Sequence, residues 1–202
     1  NAGIKEAAGD FICFFDHDDA LEPNCLYEYA KAINEYPETD LLYCDEDKLM
    51  PNGVLAQPFF KPDFNIDLLR NNNYICHMLT IRRTLLDAIE PNTKEFDGAQ
   101  DHNITLRAIE KTRRVTHVPR VLYHWRISET STAANADSKP YATIAGIKAV
   151  QDHINRMGLN ATVRQSRRPF TYDVQYAVPE DEPLVSVIIP TKDHIDILDT
   201  CI

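Results

Sequence analysis

No apolar run among the 202 residues approaches the ~20 that a membrane-spanning helix requires. Phe11 to Phe15 and Leu184 to Ile189 have strand length instead. The first residues lack the charged-then-apolar pattern of a secretory signal. No C-x-x-C spacing links the five cysteines (13, 25, 44, 76 and 201), and three lie in strand-like apolar runs. That argues against a zinc site and for buried free thiols in a reducing, cytoplasmic compartment. A long Lys/Arg stripe is missing too, with 21 basic residues against 31 acidic ones and a net charge of −10. Nucleic acid and anionic membrane are therefore poor direct partners. A small anion brought in by a metal ion remains compatible with that balance.

What is present is an ordinary globular composition, 44% hydrophobic and 26% charged, with length enough for one substantial core. Asn1 to Ala8 reads as a helix with Ile4, Ala7 and Ala8 inward and Gly9 as its C-terminal cap. Phe11 to Phe15 reads as a buried strand running into Asp16-His17-Asp18-Asp19. Pro23 opens the next helix, with Leu26, Tyr29, Ala30 and Ile33 inward and Pro37 as its stop. Leu41 to Cys44 is a second buried strand, ending in the acidic corner Asp45-Glu46-Asp47. Strand, helix, strand with short links predicts a parallel α/β layer.

Further along, Asn52-Gly53 marks a turn. Phe64 to Leu69 reads as a short helix, Tyr74 to Ile81 as a strand, and Asp101 to Lys111 as a helix. Val115 to Trp125 reads as a strand broken by Pro119. Ser128 to Lys139 is polar and weakly patterned, which predicts a mobile loop. Tyr141 to Met157 is a helix stopped by Gly158, followed by small strands at Thr162 to Arg164 and Thr171 to Tyr176. Residues 1–176 thus form one unit, 177–184 a linker, and 185–202 the opening strand of a second domain. Both ends are abrupt, and a fragment of a longer protein is expected.

Asp16 and Asp18 carry the sharpest chemistry. At a strand end, residues i and i+2 project to the same side, where α/β sheets bind ligands. Paired carboxylates suit Mg²⁺ or Mn²⁺ holding phosphate oxygens. The plainer alternative is that Asp19 caps the following helix. Asp101 sits at a helix start, where it either caps the helix or, beside a metal, accepts a proton from a hydroxyl. His124, in Leu122-Tyr-His-Trp-Arg126, is either a third metal ligand or a hydrogen-bonded core residue. Asp45 and Asp47 form a second acidic corner that could touch substrate. Arg113-Arg114 and Arg167-Arg168 read as solvated faces.

Taken in order, these motifs resemble a family 2 glycosyltransferase of the GT-A fold. The residues that carry the resemblance are Asn1-Ala-Gly through Asp19, Tyr43 to Asp47, Phe60-Lys-Pro62 and Asn73-Tyr74. Phe96 to Asp101 with Leu106-Arg107, and Val118 to Arg126, complete them. The resemblance covers residues 1–176 and implies an α/β fold, Rossmann-like, with a mixed, mostly parallel sheet flanked by helices. The N-terminal nucleotide-binding half of that fold would precede Asn1. It further implies Mn²⁺ or Mg²⁺, a nucleotide-sugar donor and a glycan or lipid-linked acceptor, with Asp16 and Asp18 as the D-x-D motif. Asp101 matches the catalytic base of inverting members, Gln100 lines its pocket, and His124 matches a metal or phosphate contact. Trp125 and Arg126 lead into a donor-covering loop, and His-Trp-Arg in place of Q-x-x-R-W implies non-processive transfer.

Val185 to Asp193 resembles the opening strand of another such domain. The implied parent is a tandem enzyme of bacterial surface-polysaccharide assembly, related to rhamnan and O-antigen enzymes and working at the inner face of the membrane. The fragment alone is expected to turn over little. Val185 to Pro190 is a candidate to fill the vacated sheet edge. Two other classes compete. Phe14 to Leu21 also fits a haloacid-dehalogenase-type phosphatase with Asp16 as covalent nucleophile, although no convincing downstream lysine and acidic pair accompany it. The second is a non-catalytic domain that binds glycan or scaffolds a partner.

Overall fold

The computed structural model describes residues 1–127 and 140–201. The loop expected at 128–139 lies outside the described residues. A six-stranded sheet carries the fold, built from β1 (Phe11–Cys13), β2 (Ala20–Leu21), β3 (Leu41–Leu49), β4 (Leu55–Phe59), β5 (Thr80–Arg82) and β6 (Val115–Arg126). Its order is β1-β5-β3-β6-β2, with β4 pairing β3 off this path. Helices α1 (Ala2–Glu6), α2 (Cys25–Glu35), α3 (Ile66–Asn71), α4 (Arg83–Asp87), α5 (Gln100–Lys111) and α6 (Pro140–Arg156) flank it.

Strand β3 shows why its sequence is a continuous apolar run. Leu41 and Tyr43 enter one core cluster, with α5 and α6 residues such as Leu106, Ile109 and Val150. Leu42 and Cys44 enter the other, with Cys25 and Tyr29 of α2. Period-2 alternation with both faces covered leaves no polar face to display.

The sheet corrects the mostly parallel expectation. Only β3 and β6 pair in parallel; the pairings β1–β5, β5–β3, β3–β4 and β6–β2 are antiparallel. Strands β1 and β3 do run in the same direction, but β5 inserts between them antiparallel to both. A mixed sheet with flanking helices results.

Three local readings also change. The acidic triplet 45–47 is not a strand end, because β3 runs on to Leu49 with all three residues buried. Helix α1 stops earlier than expected, since Ala7 is already extended at φ −66°, ψ 135°. Gly9 takes no left-handed cap, whereas Gly158, at φ 66°, does follow α6. In α2 the inward residues are Cys25 and Tyr29, while Leu26 and Ala30 are exposed. Tyr29 fixes that rotation by donating its hydroxyl to the Met78 carbonyl at 2.7 Å; one residue turns a helix face by ~100°.

A second sheet, the hairpin of β7 (Ala161–Gln165) and β8 (Tyr172–Tyr176), follows α6. A last helix, α7 (Ile195–Cys201), lies near the C-terminus. The strand expected at 185–190 is absent: the segment is without regular structure, with Leu184 99% and Ile188 90% exposed. It forms no ladder with the edge strand β1.

Candidate active site

The site's dominant feature is a cavity of about 660 Å³ whose walls come from distant parts of the chain. Asp16 enters from the β1–β2 loop, Glu46 from β3 and Trp125 from β6. Tyr74, Cys76 and His77 come from the segment before β5, Gln100 and Asp101 from the start of α5, and Phe170 and Tyr172 from the β7–β8 hairpin.

The acidic corner is built differently from its strand-end expectation. Residues 14–19 leave the strand, and 17–18 form a turn closed by the Asp19 amide on the Asp16 carbonyl at 3.2 Å. A turn brings i and i+3 together rather than i and i+2. The residues that converge are therefore Asp16, Asp19 and His77, whose ligand atoms lie within 4.8 Å of one another. Asp18 stays exposed beside this group, its carbonyl accepting from the Arg126 guanidinium. Asp19 caps no helix: it accepts the Tyr123 hydroxyl and, at 2.8 Å, the Arg126 amide. Burial pushes the Asp19 carboxyl up, although the Tyr123 hydrogen bond opposes this.

Asp101 lies in the same cavity as Asp16. The N-cap of α5 is Ala99 and no side chain caps it, so capping does not account for the aspartate. Burial raises its pKa above the ordinary carboxylate value; His77 pulls it down and Asp16 pushes it up. A carboxyl shifted this way is a stronger base once ionised. Gln100 lines the cavity, with its side-chain oxygen accepting the Gly98 amide at 2.8 Å.

His124 is not brought to Asp16. Its Nδ1 is 2.6 Å from Asp47 and its Nε2 3.3 Å from Glu22, so both ring nitrogens already face carboxylates. The described geometry matches the core-residue alternative, with His124 held by Asp47 and not among the groups that converge on Asp16. Asp45 is likewise engaged, accepting the Lys61 amide at 2.9 Å and facing His117 Nε2 at 2.8 Å. Neither Asp45 nor Asp47 lines the cavity; Glu46, on the opposite face of the strand, does. Trp125 lines it, with Lys48 3.6 Å above its ring. Arg126 is exposed and ties the acidic turn through Asp18 and Asp19.

Sequence reasoning missed His77, Asp19 and Lys61, and of the acidic corner 45–47 it is Glu46 that reaches the cavity. His77 stands buried between the acidic turn and Asp101, 3.7 Å from Asp16, stacked on Tyr123 at 4.8 Å and edge-on to Trp125. Nothing in its local pattern marks it, since the partners lie 24 or more positions away along the chain.

The chain is similar to known proteins. Residues 1–89 match the model of glycosyl transferase family 2. Over 98% of its length the chain is 39% identical to the uncharacterized protein y4gI of Sinorhizobium fredii. Over its whole length it is 40% identical to the O-antigen biosynthesis protein RfbC of Myxococcus xanthus. The chain spans only 22% and 16% of these two relatives. In structure it resembles the crystal structure of residues 1–349 of S. aureus TarS, with TM-score 0.50 and 16% identity. That match covers 94% of this chain and 78% of the other. The fold is thus the mixed α/β layer of a GT-A glycosyltransferase. Family 2 segments of this fold commonly work with a divalent cation, and the Asp16, Asp19 and His77 donor set, two carboxylates and an imidazole, fits a small hard one. No described helix is long and apolar enough to cross a membrane.

Proposed function

We propose that the chain is part of an enzyme that moves a sugar from a nucleotide-sugar to a hydroxyl of a glycan or lipid-linked acceptor, with inversion and without processive polymerisation. The observation that carries this reading is the meeting of Asp16 and Asp101 in one cavity of sugar-binding size. Asp101 takes the proton from the acceptor hydroxyl as that oxygen bonds to the anomeric carbon, and the bond to the nucleoside diphosphate breaks. Desolvation makes Asp101 a stronger base than an ordinary carboxylate. Asp16, with Asp19 and His77 or with Asp18, would hold Mn²⁺ or Mg²⁺, which when bound neutralises charge on the diphosphate leaving group. Trp125, Tyr74 and Phe170 supply flat apolar walls for sugar faces.

Surface-polysaccharide assembly is the setting proposed, in keeping with the relative named for O-antigen biosynthesis. The domain reading belongs to the same proposal: residues 1–176 serve one transferase unit, 177–184 a linker, and 185–202 the start of a second. A peripheral site at the inner membrane face fits a lipid-linked acceptor. The phosphatase alternative gains no free lysine from Lys61, whose ammonium is taken up by Glu46 and two carbonyls.

The test is Mn²⁺-dependent binding of UDP, GDP and dTDP by calorimetry on the full-length protein. Asp16→Asn should weaken it at least tenfold. Asp18→Asn and His77→Gln decide which set holds the cation. Nucleotide binding that needs no divalent ion and ignores Asp16→Asn would sink the reading.

A further inference from the structure

Phe60-Lys61-Pro62 has no role in the chemistry above, yet Lys61 is the most completely enclosed cation described. Its side chain has no solvent exposure, and its ammonium donates to Glu46 Oε2 at 2.9 Å, the Ile75 carbonyl at 2.7 Å and the His77 carbonyl at 2.6 Å. Three donors meet three acceptors, which is the full capacity of a lysine head group. The flanking backbone is pinned as well, since the Lys61 amide donates to Asp45 and the Pro62 carbonyl accepts the Tyr43 hydroxyl at 2.6 Å. The root of the side chain is therefore as fixed as its tip.

The three acceptors are not scattered. Glu46 lines the cavity, and the two carbonyls bracket Cys76, so the gripped segment is the one that presents Cys76 and His77 to it. Cys76 sits at φ 40°, a left-handed conformation that a non-glycine residue adopts only under restraint. Among the described residues, His77's ring has no hydrogen bond holding it. Stacking on Tyr123 sets its plane, and the grip on its carbonyl sets its position along the wall.

We propose that Lys61 is a positioning residue of the active site: it clamps the 75–77 segment to Glu46 and so places His77 between Asp16 and Asp101. It touches no substrate and acts through His77 and Glu46. The role rests on the glycosyltransferase reading only in the word active. The clamp itself is independent of what reacts in the cavity.

A cycle of Lys61→Met, Glu46→Gln and the double variant, in the full-length protein, separates clamp from mere charge balance. Lys61→Met leaves the buried Glu46 carboxylate with only Lys48, 3.6 Å away, as a cationic partner and should lower the unfolding midpoint by roughly 10 °C, and the double variant should recover most of that loss. Turnover of UDP-, GDP- or dTDP-sugars should behave otherwise. It should fall about 30-fold or more in kcat for Lys61→Met, with KM for the donor changed less than threefold, and stay that low in the double variant. Glu46→Gln alone should keep a kcat well above both.

Alkylation of Cys76 by iodoacetamide, followed by peptide mass mapping below the midpoint, reads the clamp without any activity. Labelling should quicken at least tenfold in both Lys61→Met proteins and remain slow in Glu46→Gln. Recovery of kcat together with stability in the double variant, or unchanged Cys76 labelling, overturns the proposal. A wild type that turns over none of the sugars but whose Cys76 labelling follows this pattern removes the glycosyltransferase reading and keeps the clamp.

Discussion

Asp101 is where burial and chemistry oppose each other. Its folded pKa lies above its unfolded one because the carboxylate is desolvated. The unfolded chain therefore ionises first as pH rises, and stability falls from the ordinary carboxylate pKa up through the raised folded value. Asp101→Asn should lower turnover by about 10² to 10⁴-fold while raising the unfolding midpoint at neutral pH. The acidic limb of the wild-type rate profile should lie above the ordinary carboxylate range, which a pH series of kcat/KM reads directly. At this scale the sequence was legible for Asp16 and Asp101, since an aspartate beside a strand or helix end already names its neighbourhood. It was not legible for His77 or Lys61, whose meaning comes from atoms contributed by other elements. His124, offered either as a metal contact or as a hydrogen-bonded core residue, is held by Asp47 at 2.6 Å, a partner 77 positions away.

Among the elements, α5 and α6 are joined by a polar tie as well as by their shared core. His153 donates from Nδ1 to Glu110 at 2.8 Å while its Nε2 accepts from Arg70, and Arg156 forks onto the same glutamate. Burial alone would raise the Glu110 pKa, but hydrogen bonds from His153 and Arg156 outweigh it and leave the pKa lowered. That stability is present above about pH 4.5 and is lost as pH falls through the lower folded value. Glu110→Gln should cost about 2 kcal/mol at neutral pH by denaturant titration and flatten the acid limb of stability.

Gly146, inside α6, has a different reason. A Cβ there would sit 1.8 Å from the Tyr172 hydroxyl oxygen. Ala should gain about 1 kcal/mol in helix propensity, but displacing the ring costs about 1–3 kcal/mol, so Gly146→Ala should destabilise. It should also disturb the cavity that Tyr172 lines, visible as a raised KM. Most helix positions were readable from period, and the small strands at Thr162 to Arg164 and Thr171 to Tyr176 were read as well, although not their pairing into the β7–β8 hairpin. The insertion of β5 between β1 and β3 was not, because strand order is set by crossovers that no local pattern reports.

For the whole molecule, the exposed apolar stretch after β8 is the feature least consistent with a finished surface. Leu184, Val185, Val187 and Ile188 all lie open, in a chain whose relatives are several times longer. In the full-length protein, amide exchange at 185–189 should be at least 100-fold slower than in the 202-residue chain, the signature of a strand that has gained partners. Equal, fast exchange in both would leave the segment a linker and remove the second-domain reading.

The register of β3 against β6 sets a different kind of limit. Cys44 pairs with Val118, Asp45 with Val121 and Glu46 with Tyr123, so β6 spends three residues more than its partner over this stretch. Pro119, which looked like a break in the strand, is part of that surplus. An odd surplus exchanges the two faces, and it is what leaves His124 opposite Asp47 and Trp125 at the cavity wall. The interval from Val118 to Tyr123 is thus a fixed measure of chain. Substitutions within it can be tolerated, but a one-residue gain or loss cannot, and lineages that keep this site are free to rewrite those letters and not to recount them.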